Sequence, residues 1–271
     1  KYRRGVLGLR TGSAAFPGAA VLGAEAAWRT GLGILRYTPP LDDSPSALGL
    51  PSPAAAVLSA RPETVFLADP AEARIPADAW VIGSGTDAAL RSPAERVALQ
   101  GVLAGPAPVV IDAGALDLAL DPVPGDESGA APAAAAHAPR ILTPHRGEFL
   151  ALWRAARLGD RPTGWPDRGR RDRMPAEAAL IAATRLLAEK LGATVLLKGS
   201  TTVTATPRGL VFLAGPATPW LATAGTGDVL AGILGALLAA HATGVREDPE
   251  ILGALGAAAA LVHDAAARQA S

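Results

Sequence analysis

Residues 222–232 read Ala-Thr-Ala-Gly-Thr-Gly-Asp-Val-Leu-Ala-Gly and place a glycine-rich turn directly before an apolar segment. The apolar segment has the period of a helix, which we predict over residues 226–240. Backbone N–H groups of the turn then converge at the positive end of the helix dipole, where an anion binds. Glycine is favoured there because a Cβ would hinder the approach of a phosphate to the amides. We therefore predict an anion hole formed by Gly225, Thr226 and Gly227.

Asp228, in the first turn of this helix, fits two interpretations. An acid at that position commonly does no more than complement the helix dipole. Beside a phosphate site, the same carboxylate is a general base that takes the proton from a substrate hydroxyl attacking a phosphoryl group. The turn alone does not separate the two, and the rest of the sequence must decide.

Outside this segment, apolar runs bounded by Gly and Pro alternate with stretches of helical period. That alternation is typical of a βα repeat with a mostly parallel central sheet. Strands are predicted over residues 6–9, 33–37, 64–68, 79–82, 109–112, 140–143 and 194–198, followed by a hairpin over 201–205 and 210–213. Helices are predicted over 18–30, 92–104, 146–157, 176–191, 226–240 and 249–268, with the last two packed tightly, one on the sheet and one on its neighbour.

Composition excludes several classes of protein. Apolar residues make up 49% of the 271 residues, enough for one large α/β domain over residues 1–271. The 25 basic and 25 acidic residues give a formal net charge of zero, which argues against surface-wide binding to nucleic acid or anionic lipid. The absence of cysteine excludes disulfides and cysteine nucleophiles. The four histidines supply few ligands for a zinc site.

The sequence also bears on location. No signal peptide is visible, and the most apolar run, 229–240, is shorter than the ~20 residues that a membrane-spanning helix needs. We expect a cytoplasmic protein with no membrane and no nucleic-acid partner.

Two segments interrupt the βα pattern. Residues 121–139 are low in sequence complexity and predict a surface excursion. Residues 158–175 carry five arginines and three aspartates. They fit either a basic lid over a phosphate or a solvated loop of mixed charge, and the interspersed acids favour the loop.

Two strand ends carry further candidates. His145, just before a predicted helix, is placed to donate a hydrogen bond to a polar substrate, whereas Thr143 and Glu148 equally fit ordinary helix-start chemistry. Lys198 follows an apolar strand and offers a point charge to a nucleotide phosphate, with Gly199 allowing a close approach. A lysine in that position is otherwise usually only solvated.

Three more places in the sequence, two of them rich in small residues, have two interpretations each. Gly18-Ala19-Ala20 permits a dinucleotide to lie against a helix end or simply allows close helix packing. The turn 83–86, which contains Gly85, presents amides to a substrate or is a plain turn. Asp112 contacts a ligand or metal, or caps the turn that follows it.

Four more segments match, in order, the motifs of one family. They are Gly-Ser at 12–13 with Pro-Gly-Ala-Ala at 17–20, Val-Ile-Asp-Ala-Gly-Ala-Leu at 110–116, Ile-Leu-Thr-Pro-His-Arg-Gly-Glu-Phe at 141–149, and Val-Leu-Leu-Lys-Gly at 195–199. Together with 222–232, they closely resemble the ADP/ATP-dependent NAD(P)H-hydrate dehydratases of the ribokinase-like superfamily. The combination spans nearly the whole chain.

This resemblance implies a three-layer α/β/α ribokinase-like fold with a mostly parallel central sheet. It implies dehydration of (S)-NADHX or (S)-NADPHX to NADH or NADPH, with ADP or ATP as phosphoryl donor, Mg²⁺ on the phosphates, and phosphate and AMP or ADP as products. A homo-oligomer, of which the tetramer is the family's frequent form, and an NAD(P)HX epimerase as functional partner are also implied, the epimerase being separate or fused before residue 1.

The resemblance also assigns residues. Asp228 becomes the catalytic base, and the substrate-binding residues are Ala19, Gly85, His145 and Asp228. The nucleotide-binding residues become Lys198, Gly199, Ser200, Thr201, Thr202 and Gly227. No metal ligand is assigned.

The chain departs from the family pattern at three places. Ser84 replaces the proline of Gly-Pro-Gly, and Arg10-Thr11 lacks a second glycine before Gly12. Thr218 and Trp220 stand where the family has asparagine and glycine. These changes bear on the geometry of the nucleotide contacts more than on the class of reaction.

Two other functions compete with this prediction. A small-molecule kinase of the same superfamily, of the hydroxymethylpyrimidine, pyridoxal or hydroxyethylthiazole type, would use the same turn and aspartate but release the phosphorylated product. A nucleotide sensor without catalysis would bind ADP without turnover. The His145 segment and residues 17–20 favour the dehydratase.

Overall fold

The computed structural model describes residues 1–41, 46, 48–69, 73–121, 138–166 and 175–270. Across these residues, nine strands form one sheet. They are β1 Val6–Arg10, β2 Ile34–Tyr37, β3 Val65–Phe66, β4 Ala79–Ile82, β5 Val109–Ile111, β6 Arg140–Leu142, β7 Thr194–Leu197, β8 Thr202–Ala205 and β9 Val211–Ala214. Their spatial order is β3-β2-β1-β4-β5-β6-β7-β8-β9.

Helices connect these strands. They are α1 Pro17–Arg29, α2 Pro53–Ala60, α3 Pro93–Ala104, α4 Arg146–Ala155, α5 Glu177–Leu191, α6 Thr226–Ala240, α7 Ala242–Glu247 and α8 Ile251–Ala270, with a 3₁₀ helix at Ala113–Leu120. All the predicted strands and helices are confirmed, with ends that shift by no more than two residues. Helices α2 and α7 were not predicted.

Helix α2 begins with the same Ser-Pro start signal as α3, at Ser52-Pro53 and Ser92-Pro93. The Ser52 hydroxyl accepts the N–H of Ala55 at 3.2 Å, just as the Ser92 hydroxyl accepts the N–H of Glu95 at 3.1 Å at the predicted start of α3. Serine followed by proline is a good helix start because it caps one amide and presets the first backbone angle. The eight residues of α2, Pro-Ala-Ala-Ala-Val-Leu-Ser-Ala, show too little polar periodicity to reveal the helix.

The sheet is parallel from β3 through β7, and only β8 and β9 run antiparallel to their neighbours. The predicted hairpin is confirmed, with Thr202 opposite Ala214 and Ala205 opposite Val211. Because parallel strands end at a common edge, the residues after β1, β4, β5, β6 and β7 meet there, which is where ligands bind in open α/β sheets.

Helices cover both faces of the sheet. On β5, the fully buried Val110 belongs to the core shared with α1, α6 and α8, whereas Val109 and Ile111 belong to the core shared with α3, α4 and α5. Successive side chains of a strand point to opposite faces, so a central strand covered on both sides must be apolar throughout. The predicted three-layer α/β/α arrangement is confirmed.

The last long helix corrects two expectations. Helix α8 packs on strands β7, β8 and β9 as well as on α6, so both α6 and α8 contact the sheet. By length and composition alone, α8 is also apolar enough to cross a membrane, whereas the sequence-based expectation considered only the shorter apolar run at residues 229–240. In the fold, 44% of its most apolar window is buried.

Two predicted loops fall largely outside the described residues. The excursion at 121–139 includes 122–137, and the arginine-rich segment at 158–175 includes 167–174, neither of which the structure describes.

Candidate active site

The glycine turn forms the mouth of α6 as predicted. Gly225 is the N-cap residue with φ +90°, a left-handed conformation that glycine adopts without strain, and no side chain caps the helix. The Thr226 hydroxyl donates instead to the carbonyl oxygens of Leu221 and Thr223, at 2.9 and 2.8 Å. Among the described residues, no acceptor bonds the N–H groups of Gly227 and Asp228. These open amides are what an anion hole requires.

A cavity of ≈ 450 Å³ lies beside this mouth, and we call it the α6 cavity. It is bounded by the first turn of α6, the segment after β7, the end of β9 and α8. Its lining residues are His145, Lys198, Gly199, Ser200, Thr202, Ala214, Gly215, Ala217, Leu221, Ala222, Thr226, Gly227, Leu230, Ala260, Leu261, His263 and Asp264.

Most of the predicted nucleotide residues meet in this cavity. Lys198, Gly199, Ser200, Thr202 and Gly227 all line it, and of the anion hole Thr226 lines it as well. Neither Thr201 nor Gly225 is among the described lining residues. Thr201 therefore contributes to the bend of the chain rather than to the cavity wall.

Lys198 is held at the strand end rather than left in solvent. Its N–H donates to the carbonyl oxygen of Pro144 at 2.9 Å, which extends the pairing of β6 with β7. Its ammonium lies 2.9 Å from Oδ1 of Asp112, and a Cβ added to Gly227 would lie 3.5 Å from the ammonium nitrogen. The lysine thus spans the distance from the end of β5 to the mouth of α6.

Asp112 lies at the centre of a buried polar cluster. Its side chain accepts hydrogen bonds from the Thr143 hydroxyl at 2.7 Å and the Ser84 hydroxyl at 2.9 Å, in addition to Lys198. It makes no side-chain cap to the following 3₁₀ helix, so the turn-capping interpretation of Asp112 is wrong. Thr143 likewise bonds Asp112 instead of the start of α4.

Asp228 is half-buried at the mouth of α6 and is not among the residues that line the α6 cavity. The charges of Asp112 and Lys198 both act on its carboxylate. Its pKa is raised to about 6, mainly by burial and in addition by the negative charge of Asp112, while the positive charge of Lys198 acts in the opposite direction. An acid that only complemented the dipole would be stabilised in its ionised form and show a lowered pKa. The raised pKa favours the general-base interpretation, because a base works best with a pKa near the operating pH.

His145 itself caps the start of α4. Its Nδ1 accepts hydrogen bonds from the N–H groups of Gly147 and Glu148, at 2.9 and 3.2 Å, and the Glu148 carboxylate accepts one from the N–H of His145 at 2.7 Å. This capping box starts α4 and confirms the helix-start role of Glu148. Because Nδ1 is an acceptor, the proton of the neutral ring lies on Nε2, and the side chain is 61% exposed. Nε2 lies 3.6 Å from Oε1 of Glu148, and the exposed side chain of His145 lines the α6 cavity.

The other two predicted substrate residues form a separate contact. A Cβ added to Gly85 would lie 2.2 Å from the Cβ of Ala19, and Gly85 has φ +68°. The start of α1 and the turn after β4 therefore approach as closely as small residues allow. Ala19 and Gly85 do not line the α6 cavity, so the predicted site has two parts.

Helix α8 supplies lining residues that the sequence analysis missed. His263 and Asp264 lie in the cavity wall near Ala260 and Leu261. Burial lowers the pKa of His263, so its ring is neutral at neutral pH. The sequence showed only an apolar helical period over α8, and nothing in that period indicates which face borders a cavity.

Three of the departures from the family pattern have structural partners, whereas among the described residues the buried Thr11 hydroxyl has none and Trp220 is 67% exposed. Ser84 bonds Asp112, and Arg10 forms a buried ion pair with Glu95 in which Nε lies 2.9 Å from Oε1. The N–H of Thr218 donates to Oδ1 of Asp264 at 2.6 Å. Ser84 and Arg10 are therefore integrated into the edge of the sheet that carries the site, and the backbone of Thr218 is bonded to α8.

The described residues contain no group of three or more His, Asp or Glu side chains that could hold a metal ion. Mg²⁺ commonly keeps several water ligands and binds through one or two carboxylates and the phosphates of a substrate. The residues thus fit a cation that arrives on a nucleotide better than one held by the protein alone.

Comparison with known proteins identifies the family. The family model described as NAD(P)H-hydrate dehydratase matches residues 7–271. The bifunctional NAD(P)H-hydrate repair enzyme Nnr of Mycobacterium tuberculosis is 40% identical over 240 residues, which cover 88% of this chain and 42% of that protein. The ADP-dependent (S)-NAD(P)H-hydrate dehydratase of Xanthomonas campestris is 33% identical, covering 86% of this chain and 72% of its own length. The chain thus spans less than half of the bifunctional relative.

Comparison with solved structures supports the same family and fold. The ADP/ATP-dependent NAD(P)H-hydrate dehydratase of Bacillus subtilis, co-crystallised with ATP and Mg²⁺ and soaked with CoA, has a TM-score of 0.68 and 28% identity, covering 99% of this chain and 84% of its own. A ribokinase-like protein of Enterococcus faecalis, 22% identical with a TM-score of 0.63, covers 97% of this chain and 78% of its own and shows the same fold. With a ribokinase-like fold and a family match from residue 7 to residue 271, the chain belongs to the NAD(P)H-hydrate dehydratase family.

Proposed function

We propose that this chain dehydrates (S)-NADHX or (S)-NADPHX to NADH or NADPH, using ADP or ATP as phosphoryl donor. The observation that carries the proposal is the half-buried Asp228, whose pKa is about 6, beside open amides at the mouth of α6 and the ammonium of Lys198. The anion hole and the cation border one cavity, and the base lies in the same first turn of α6 although it does not line that cavity. A base, an anion hole and a cation are the parts that phosphoryl transfer to a hydroxyl requires.

In the first step, the hydroxyl oxygen at C6 of the hydrated nicotinamide ring attacks the terminal phosphorus of the nucleotide. The bond from that phosphorus to its bridging oxygen breaks, releasing AMP from ADP or ADP from ATP, and Asp228 takes the hydroxyl proton. Of the predicted anion hole, the Thr226 N–H already bonds the carbonyl oxygen of Thr223 at 3.4 Å, so the open amides of Gly227 and Asp228 hold the phosphoryl oxygens, and Lys198 balances their charge. Mg²⁺, bound through the phosphates, would supply further charge neutralisation.

In the second step, the substrate itself provides the driving force. The lone pair of the ring nitrogen expels the C6 phosphate, which is a far better leaving group than hydroxide, and loss of a proton from C5 restores the C5–C6 double bond. The His145 Nε2–H, exposed at the strand edge, is placed to orient the dinucleotide. Ala19 and Gly85 keep the neighbouring backbone close enough to form its second contact surface.

Several finer proposals accompany this one. We infer that residues 1–271 act as a single dehydratase domain, which one continuous sheet supports. We also infer a homo-oligomer, with the tetramer as its form, and a cytoplasmic location. The bifunctional relatives support an NAD(P)HX epimerase as the functional partner, since hydrate of the other configuration must be converted before this site acts on it.

The test is to incubate the protein with hydrated NADH, ADP and Mg²⁺ and follow the return of the reduced-nicotinamide absorbance. We expect NADH, phosphate and AMP in equal amounts. Phosphorylation of a small alcohol with no return of absorbance would establish the kinase alternative. ADP-dependent thermal stabilisation without turnover of any substrate would establish the sensor.

A further inference from the structure

The buried cluster around Asp112 lies beneath the nucleotide site, and the proposed function uses none of its hydroxyl groups. We propose that Ser84 and Asp112 are positioning residues that aim the Lys198 ammonium at the phosphate held by the mouth of α6. This inference rests on nucleotide binding in the α6 cavity and adds a specific support for one of its contacts.

The first argument is the completeness of the bonding at Asp112. The residue is 2% exposed, and Oδ1 accepts from Thr143 at 2.7 Å and from Lys198 at 2.9 Å. Oδ2 accepts from Ser84 at 2.9 Å. A buried carboxylate needs both a counter-charge and hydrogen bonds to its remaining lone pairs, and these three donors supply them. The carboxylate is thus fixed by two hydroxyls whose own positions are set by the ends of β4 and β6.

The second argument is the position of the lysine between two anion sites. Its side chain is 20% exposed, and its ammonium contacts Asp112 on one side while lying next to Gly227 on the other. An ammonium has three N–H donors, so one bond to Asp112 leaves two for a phosphate. A free lysine loses side-chain rotamer entropy when it is ordered, whereas an anchored lysine has lost much of that entropy before the phosphate binds.

Ser84 is the member of the cluster that can be tested without changing any charge. Its hydroxyl touches Asp112 and not the cavity, so its removal loosens the anchor while leaving the phosphate contacts chemically intact. A role in aiming Lys198 therefore predicts an effect that depends on Lys198. A general structural role predicts an effect that does not.

The experiment is a double-mutant cycle on ADP binding, measured by calorimetry in the presence of Mg²⁺. Ser84→Ala is expected to weaken ADP binding about three- to tenfold, the cost of one hydrogen bond. Lys198→Met is expected to weaken it more, and the double variant is expected to match Lys198→Met alone. Ser84→Thr, which keeps the hydroxyl, is expected to restore wild-type affinity.

Thr184→Val is the matched control. The Thr184 hydroxyl is also fully buried and donates at 2.7 Å to the carbonyl oxygen of Leu180 within α5, and Thr184 does not line the α6 cavity. Its loss should reduce stability without changing ADP affinity. Thermal unfolding of each variant checks that all are folded.

An equal loss from Ser84→Ala in both lysine backgrounds, or no loss in either, overturns the positioning role. The cycle reports on binding and not on turnover. Coupling between Ser84 and Lys198 in a protein that fails to regenerate NADH would therefore overturn the proposed reaction alone. Failure of the wild-type protein to bind ADP would overturn both.

Discussion

The two parts of the site use different physical means. The mouth of α6 and the cavity beside it, at the end of the sheet near β7, offer space, open amides and the charges of Lys198 and Asp228, of which Lys198 lines the cavity and Asp228 does not. The contact between Ala19 and Gly85, near β1 and β4, offers backbone shape, because two chain segments meet there with almost no side chain between them. A substitution in the first part should change chemistry in a stable protein, whereas a substitution in the second should change the fold first.

The largest expected effect belongs to the cavity side. Asp228→Asn should reduce turnover by about 10³-fold or more, the usual scale for loss of a general base, while ADP still binds. Initial rates with hydrated NADH and calorimetry with ADP measure the two properties separately. Glu177→Gln, which changes an exposed acid in the first turn of α5, is the matched control and should leave both unchanged. Turnover retained in Asp228→Asn would remove Asp228 from the base role.

Alanine substitutions of Gly85, in the second part, and Gly227, in the first part, should affect different properties. Gly85→Ala should lower the free energy of unfolding by about 1–3 kcal/mol, because φ is +68° and the new Cβ would meet that of Ala19 at 2.2 Å. Gly227→Ala meets only the Lys198 ammonium, at 3.5 Å, and should fold normally. It should weaken ADP binding about tenfold by obstructing one charge-assisted hydrogen bond to phosphate.

Urea unfolding and ADP titration of both variants test this contrast. If Gly227→Ala is destabilised and Gly85→Ala is not, the division of the site into a chemical part and a shape-determining part is wrong.

The pH dependence of the reaction tests the charges of Asp228 and Lys198 in the first part of the site. With the pKa of Asp228 at about 6, kcat/KM should fall about tenfold per pH unit below that value, because only the ionised carboxylate accepts a proton. Since Lys198 lowers this pKa, Lys198→Met should move the acid limb to higher pH. A limb near pH 4 in the wild-type protein would contradict the assignment.

The smallest expected effect is on stability and concerns the charge of Asp228 in the first part of the site. The pKa of Asp228 rises from 3.8 to about 6 on folding, so its contribution to stability is present at low pH and is lost as the pH rises through 6. Asp228→Asn should therefore raise the free energy of unfolding at pH 7 by about 1 kcal/mol, solvent screening of a half-exposed group keeping the gain small. The gain should vanish below pH 4, which urea unfolding at both pH values measures.

Much of this molecule could be predicted because its signals are local. The end of each parallel strand and the start of each long helix follow from apolar runs and punctuation such as Ser92-Pro93 and the turn before Thr226. His145, Lys198 and Gly227 could be named as site residues because they stand at such boundaries. The cavity wall from α8 could not, since His263 and Asp264 sit within one uninterrupted helical period.

The order of the amino acids alone specified a parallel α/β sheet, a helix opened by Gly225–Gly227, and an acid in its first turn, because each depends on neighbours within a few residues. The contact of Lys198 with Asp112, the hydroxyls that hold Asp112, and the raised pKa of Asp228 depend on folding. These groups are more than 25 residues apart along the chain, and only the common edge of parallel strands brings them within hydrogen-bonding or Coulombic range.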